Sequence, residues 1–204
     1  MRIERIVLGT SNPAKVDEWT KLLQEEIPGL EVKAAVKLPE PNETGETFEE
    51  NAVLKAIHYA KLTGDFALAD DGGFEIDAFD GAPGVKSKRI LPGEREATDK
   101  EQIEYVINKM EGMPQEKRGT RFTTAVAVSA PDGKIIYEDR ESLEGYVPEK
   151  AGKKLIKGYS YRSLLYLPEL GKTYAELNEE EHNEHSHKRK IVKRLAKFLR
   201  NTTA

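Results

Sequence analysis

Residues 66–73, FALADDGG, are a short apolar run followed by two adjacent carboxylates, Asp70 and Asp71, and two glycines. A run of this length predicts a buried strand, so we expect the acids at its carboxyl end, where open α/β sheets hold their ligands. Two adjacent carboxylates repel each other. A cation that binds both the carboxylates and an anionic ligand would offset that repulsion. Metal-assisted phosphate chemistry is therefore the first hypothesis, and an ordinary Asp-Gly turn is the alternative.

The composition limits the class of protein. The chain has 204 residues, of which 38% are hydrophobic and 33% are charged, and its formal net charge is -4. These values indicate a globular chain with one domain over residues 1–204, and its net acidity argues against nucleic acid as a partner. The chain has no cysteine, which excludes disulfides and a thiol nucleophile. Since there is no signal pattern and no apolar stretch of membrane-spanning length, we expect a cytoplasmic protein without a membrane partner.

The spacing of apolar residues predicts an α/β fold in which strands and helices alternate before a hairpin. Trp19 lies on the apolar stripe of the first helix and is expected in the core. Pro131-Asp132-Gly133 separates two apolar runs, which predicts an antiparallel hairpin. The predicted strands are 3–9, 31–38, 66–69, 122–130, 134–138, 145–147 and 159–167, and the predicted helices begin near Pro13, Thr47, Asp99 and His187.

Polar residues at the start of the first helix form a candidate anion site. Thr10, Ser11 and Asn12 lie where a strand leads into a helix, and Lys15 follows one turn later. Free backbone N–H groups at a helix start favour an anion, although the same residues are equally typical of a plain helix cap.

Glu43 and Lys55 are candidates to act together with the acidic pair. Glu43 lies in a loop before a helix that carries Lys55, and such a pair near Asp70 and Asp71 would hold a cation and neutralise phosphate charge. The closely spaced histidines His182, His185 and His187 are a weaker signal for zinc, because their neighbours are Glu and Lys and no cysteine ligand exists.

Longer motifs resemble a known family. The stretch 43–84 contains ETGETFEENAVLKA and ALADDGGFEIDAFDGAPG, and it closely resembles the inosine triphosphate pyrophosphatase family. LGTSNPAK (8–15), PELGKTYAEL (168–177) and Ser186-His187 also occur in the expected order, so the resemblance covers almost the whole chain. It implies an elongated mixed β-sheet flanked by helices, two lobes around a central substrate cleft, and a homodimer.

The resemblance also implies a reaction and a set of residues. Family members cleave a nucleoside triphosphate, typically with a deaminated purine such as ITP, dITP or XTP, to the monophosphate and pyrophosphate with Mg²⁺. By position, Asp71 matches the general base and metal ligand, Glu43 the metal-binding glutamate, and Lys55 the lysine that meets the phosphates. Residues 10–15 match the triphosphate loop, and Gly72 matches a substrate-contacting serine.

The segments that match the base-binding part of the family depart from its pattern. Arg162 stands where the family has aspartate, and a guanidinium only donates hydrogen bonds, so the two cannot favour the same base edge. Lys188 replaces an arginine and lacks its planar fork. The residues matched to the base end of the substrate are Tyr159, Tyr161, Arg162, His182, His187 and Lys188.

Three functions follow as hypotheses. The first is an active pyrophosphatase with altered or relaxed base selection. The second is a catalytically silent nucleotide-binding sensor, which the presence of Asp71, Glu43 and Lys55 disfavours because binding alone requires no aligned base and metal ligands. The third is a nucleic-acid binder that uses the basic C-terminal helix, which the net acidity disfavours.

Overall fold

A computed structural model describes residues 3–93 and 95–201, which form a mixed α/β structure. The strands are β1 (Arg5–Leu8), β2 (Glu31–Ala34), β3 (Ala67–Ile76), β4 (Gly119–Ser129), β5 (Ile135–Tyr146), β6 (Tyr166–Leu167) and β7 (Lys172–Thr173). The α-helices are α1 (Pro13–Glu26), α2 (Phe48–Thr63), α3 (Asp99–Lys109), α4 (Glu179–His185) and α5 (His187–Asn201). None of these helices, in the ranges that are described, is long and apolar enough to span a membrane.

All seven strands belong to one mixed sheet. Their order is β2-β1-β3-β4-β5-β6-β7, with β1 parallel to β2 and β3, and β6 antiparallel to β5 and β7. The predicted hairpin is present between β4 and β5, where the N–H of Ala130 donates to the carbonyl of Lys134. The predicted α/β class is thus confirmed.

The chain divides into two compact units. Unit 1 comprises Met1–Asp71, Thr124–Glu141 and His187–Ala204, and unit 2 comprises Gly72–Thr123 and Ser142–Ser186. Three of the four boundaries between the units fall within β3, β4 and β5, and the fourth lies between α4 and α5.

In unit 1 the sheet has helices on both faces. Because side chains alternate along a strand, Leu68 and Ala69 of β3 lie on opposite faces. One face packs against α1 and α5 through a cluster that includes Ile6, Leu8, Trp19, Leu22, Leu23, Leu68, Val126, Val128, Ile191, Val192 and Leu195. The other face packs against α2 through two clusters that include Val7, Phe48, Ala52, Ala56, Tyr59, Ala67, Ala69, Ala125 and Ala127.

Unit 2 has its own apolar core, to which β3, α3 and residues 159–177 contribute. Its buried members are Phe74, Ile76, Val106, Met110, Val147, Tyr161, Leu164, Leu165, Leu167, Tyr174 and Leu177. Arg118 is also buried there, and its guanidinium donates to the carbonyls of Met110, Val147 and Pro148.

The helix ends follow local sequence signals. Thr47 and Glu50 form the predicted capping box at the start of α2, and Gly64 ends that helix with φ of 70°, a left-handed conformation that suits glycine. Asn12 caps α1, with Pro13 as the first helical residue. Trp19 is fully buried, as the stripe predicted.

The predicted carboxyl end of the strand that carries Asp70 and Asp71 is wrong. β3 does not stop at residue 69 but runs to Ile76, so Asp70 and Asp71 lie in the middle of the strand. Phe74 and Ile76 are fully buried and continue the alternation that the two glycines interrupt in the sequence. The alternative interpretation as an Asp-Gly turn is therefore also wrong.

Two other predicted strands are shorter than expected. Residues 35–38 do not continue β2, and the segment 159–167 contains a 3₁₀ turn, Ser160–Ser163, before the two residues of β6. In that turn the N–H of Arg162 donates to the carbonyl of Tyr159, a local bond that replaces pairing with a neighbouring strand.

Candidate active site

Lys55 joins two of the predicted site carboxylates in unit 1. Its Nζ lies 3.0 Å from Oδ1 of Asp71 and 3.0 Å from Oε1 of Glu43. Lys55 points from α2 toward the face of β3 that carries Asp71, and both side chains are buried. The fold therefore brings together the three residues that the sequence assigned to metal and phosphate chemistry.

Asp70 lies on the opposite face of the strand from Asp71. Its Oδ2 is 2.8 Å from Nζ of Lys15 on α1, so each of the adjacent acids has its own lysine. The two acids therefore do not face one common site for a cation, as the sequence suggested, because adjacent strand residues point to opposite faces.

The two carboxyl groups differ in their affinity for a proton. Burial favours the neutral form of Asp70, but the positive charges of Lys15, Lys188 and Lys55 outweigh it and lower the pKa of Asp70 to about 2. For Asp71 burial prevails over the effects of Lys55 and Lys15, and the pKa of Asp71 is raised. A permanently charged Asp70 suits a structural partner of Lys15, whereas Asp71 is the better proton acceptor.

Polar groups at the start of α1 form a helix cap. Oγ1 of Thr10 accepts from the N–H of Asn12 at 3.2 Å, and Oδ1 of Asn12 accepts from the N–H of Ala14 at 3.0 Å. The hydroxyl of Ser11 donates to the carboxylate of Glu40. Burial lowers the pKa of Lys15, but the contact with Asp70 prevails and raises it, so Lys15 stays charged beside this helix start.

At the start of α5, both predicted residues are buried and have partners within unit 1. Nε2 of His187 lies 2.9 Å from Oγ1 of Thr124, and Nζ of Lys188 lies 2.6 Å from Oε2 of Glu18. The ammonium of Lys188 is also 5.5 Å from the centre of the Trp19 ring.

Unit 2 contains the aromatic residues that the sequence assigned to the base. The guanidinium of Arg162 lies over the ring of Tyr159, with 4.1 Å between its Cζ and the ring centre, and 5.3 Å from the centre of the Tyr174 ring. The ring of His182 stacks on Tyr174 at 5.0 Å, and its Nε2 is 2.9 Å from the tyrosine hydroxyl.

The structure places Tyr161 in the core of unit 2. Its ring stacks on Phe74 at 4.9 Å, and its hydroxyl donates to the carbonyl of Ser87 at 2.6 Å. Burial raises the pKa of this hydroxyl. Gly72 follows Asp71 in β3, and it can contact a substrate only through its backbone.

The donor set of Glu43 and Asp71 fits a hard divalent cation. Oxygens of both carboxylates lie 3.0 Å from one ammonium, so they are within twice that distance of each other. Mg²⁺ is commonly bound by one or two carboxylates together with substrate phosphates. The histidines suggested as zinc ligands do not form a metal-binding cluster: within 3–93 and 95–201, no group of three or more His, Asp or Glu is arranged to hold a metal ion.

Sequence reasoning missed three contacts of the site residues. Asn51 donates to Oδ2 of Asp71 at 3.2 Å, Glu18 pairs with Lys188, and Thr124 contacts His187. Only Asn51 had a sequence signal, since it lies one helical turn before Lys55 and therefore on the same face of α2.

Known protein sequences show which family the chain matches. A profile described as the Ham1 family matches residues 6–198. A dITP/XTP pyrophosphatase of Thermus thermophilus is 41% identical over 196 residues, covering 96% of this chain and 91% of that protein. Another dITP/XTP pyrophosphatase, of Desulforamulus reducens, is 37% identical and covers 96% of this chain and 95% of its own length.

Solved structures agree with the sequence relatives. The Ham1 protein of Staphylococcus aureus matches with a TM-score of 0.82 at 30% identity, covering 97% of this chain and 99% of that one. A HAM1 protein of Coxiella burnetii matches with a TM-score of 0.81 at 33% identity, covering 98% and 100%.

Proposed function

The chain belongs to the Ham1 family, and on that premise we propose that it is a metal-dependent nucleoside triphosphate pyrophosphohydrolase with altered base selection. Its full-length relatives are named dITP/XTP pyrophosphatases, which makes it an enzyme that cleaves non-canonical purine nucleoside triphosphates to the monophosphate and pyrophosphate. The observation that carries the proposal is the buried Lys55 ammonium, which lies between the carboxylates of Asp71 and Glu43.

Each of these residues has a distinct task in the proposed reaction. Asp71, whose pKa is raised, accepts a proton from the attacking water. Lys55 supplies positive charge beside it, and Lys15, held by Asp70, supplies a second charge near the start of α1. Such fixed charges stabilise the negative charge that develops on the phosphates during cleavage.

Glu43 and Asp71 are the residues that would hold the divalent ion. Their carboxylate oxygens fit Mg²⁺ better than a soft metal, since the chain has no thiolate to offer. When bound, the ion supplies positive charge to the phosphate oxygens.

A pyrophosphate-release assay with purified protein tests the reaction. With Mg²⁺ we expect release from at least one triphosphate in a panel of ITP, dITP, XTP, GTP, ATP and the pyrimidine triphosphates. Asp71→Ala should lower the rate by about 1,000-fold or more, because it removes both a general base and a metal ligand. Asp132→Ala, at an exposed acid in the hairpin turn of unit 1, is the matched control. Nucleotide binding without any release would support the sensor hypothesis instead.

Altered base selection is attributed to Arg162. A guanidinium donates in its own plane and forms paired bonds with two adjacent acceptors, such as O6 and N7 of a 6-oxopurine. Hypoxanthine, xanthine and guanine share these acceptors, whereas adenine has an amino donor in place of O6. The contact with the Tyr159 ring supports this role, since it holds the guanidinium beside an aromatic ring of unit 2.

If Arg162 selects the base, kcat/KM should vary among triphosphates in a specific way. ITP, XTP and GTP should have similar kcat/KM values, and ATP a value lower by about 10- to 100-fold. Arg162→Ala should remove most of that preference, whereas Arg95→Ala, at an exposed arginine of the same unit, should keep it. Strong discrimination between GTP and ITP would contradict the attribution without affecting the proposed reaction.

A further inference from the structure

Asn51, in the first turn of α2, contacts both Asp71 and the segment that carries Glu43. Its Oδ1 accepts from the N–H of Gly45 at 2.8 Å, and its Nδ2 donates to the carbonyl of Gly45 at 3.4 Å and to Oδ2 of Asp71 at 3.2 Å. The amide orientation is dictated by its partners, because an N–H only donates whereas a carbonyl and a carboxylate accept. Asn51 is 3% exposed, so no water replaces these bonds easily.

The chain passes Asn51 so closely that Gly45 tolerates no side chain. A Cβ on Gly45 would lie 2.7 Å from Oδ1 of Asn51 and 2.9 Å from its backbone nitrogen. The next two N–H groups, of Glu46 and Thr47, donate to Oε2 of Glu50 at 2.6 and 3.4 Å. The first turn of α2 thus holds three consecutive backbone amides of the segment that leads into it.

Glu43 lies only two residues before Gly45, so its Cα is within about 7.6 Å of the held backbone. The side chain of Glu43 is half exposed, and its contact with Lys55 joins two flexible side-chain ends rather than the backbone. The Lys55 contact alone therefore does not fix where the segment runs. The bonds from Asn51 to Gly45 act on the backbone itself.

We propose that Asn51 is a positioning residue that sets the separation between Glu43 and Asp71 by clamping the backbone of Gly45 to the Asp71 carboxylate. The inference rests on the proposed function, in which these two acids hold the divalent ion. Groups that orient metal ligands typically change metal affinity by about 10- to 100-fold when they are removed. Asn51 contacts neither ion nor phosphate in this account and acts only through its two partners.

Three variants test the clamp in the full-length protein. Asn51→Leu has nearly the same shape and makes no hydrogen bond, while Gly45→Ala keeps the Asn51 amide but forces it away from the backbone. The third variant combines both changes. Mn²⁺ alone serves as the probe, with its dissociation constant measured by electron paramagnetic resonance, and pyrophosphate release is followed as a function of Mg²⁺ concentration. Glu46→Gln, at an exposed acid of the same segment, is the control.

We expect the Mn²⁺ dissociation constant to rise by about 10-fold or more in each single variant. The double variant should bind Mn²⁺ no more weakly than the single variant with the lower affinity, because both changes break the same clamp. Excess Mg²⁺ should restore much of the turnover, which a merely structural defect would not allow. Should Asn51→Leu fail to fold, Gly45→Ala carries the test alone.

The inference is overturned if both single variants bind Mn²⁺ like the parent protein, or if their effects multiply in the double variant. A parent protein that neither binds Mn²⁺ nor releases pyrophosphate would instead contradict the proposed function.

Discussion

Replacing Lys55 with methionine removes the ammonium that Asp71 and Glu43 share. Glu43, with a side chain that is 50% exposed, can turn toward water, whereas Asp71 is fixed in β3 with a side chain that is 13% exposed. Loss of one partner of a buried ion pair costs about 3–5 kcal/mol. This cost has an upper limit, because a carboxylate that has lost its partner can take up a proton. For a group with an ordinary pKa of about 3.9, protonation at pH 7 costs at most about 4 kcal/mol. We therefore expect Lys55→Met to lower the free energy of unfolding of unit 1 by about 2–4 kcal/mol at pH 7.

The stability lost in Lys55→Met should depend on pH. Without Lys55 the pKa of Asp71 lies further above its value in the unfolded chain, so ionised Asp71 destabilises the fold. The loss relative to the parent protein should be absent below the raised pKa that Asp71 has in the parent, grow with rising pH by up to about 1.4 kcal/mol per unit, and level off above the still higher pKa in the variant. Urea titrations at pH 5 and pH 7 measure it through the fluorescence of Trp19, the single tryptophan, which is fully buried in unit 1.

Two comparisons separate this mechanism from a simple packing defect. In an Asp71→Asn background, Lys55→Met should cost far less, because no carboxylate remains to be stranded. Lys61→Met, at an exposed lysine of the same helix, should change stability by less than about 0.5 kcal/mol. A loss at pH 5 equal to that at pH 7, or one that is unchanged by Asp71→Asn, would refute the reasoning.

Four further outcomes are expected. Arg118→Met should destabilise unit 2 by about 3 kcal/mol, seen as faster hydrogen exchange there, since three backbone carbonyls, two of them in buried contacts, lose a charged donor. Arg95 and the cap of α3 lower the pKa of Glu101 to about 2, so the stability lost in Glu101→Gln should be present above the ordinary carboxyl pKa and vanish as the pH falls toward 2. Gly64→Ala should lower the free energy of unfolding by about 1 kcal/mol in urea titrations, because φ there is 70°. Sedimentation should give twice the mass of one chain, as the family resemblance implies.

Local signals were sufficient to predict the helices that position the site. The capping box of Thr47 and Glu50 and the terminal Gly64 involve only neighbours in sequence, so α2 begins and ends where the sequence indicated. The helix α4 was missed, although Asn178 and Glu181 form a capping box at its start, because its seven residues are too short and polar to show an apolar period.

Contacts between distant residues were not predictable in the same way. Lys188 was assigned to the substrate from its motif, yet its partner Glu18 lies 170 residues away in the chain. Nothing in either segment indicates that the fold pairs them. The end of β3 was mispredicted for a related reason: two glycines are typical of a turn, whereas pairing with β4 and the burial of Phe74 and Ile76 in unit 2 favour a continued strand.

The alternation of side chains along β3 explains why adjacent acids have different chemistry. Asp70 faces α1 and α5, where Lys15 and Lys188 help to keep it charged, and Asp71 faces α2, where burial raises its pKa. A shift of the strand by one residue would exchange these faces and leave one of the two lysines, Lys15 or Lys55, opposite Ala69 or Gly72 instead of an acid. The apolar alternation of Leu68 and Ala69 with their separate cores opposes that shift. The packing that fixes the register of β3 therefore also decides which of the two carboxylates lies beside Lys55 and is the proposed base.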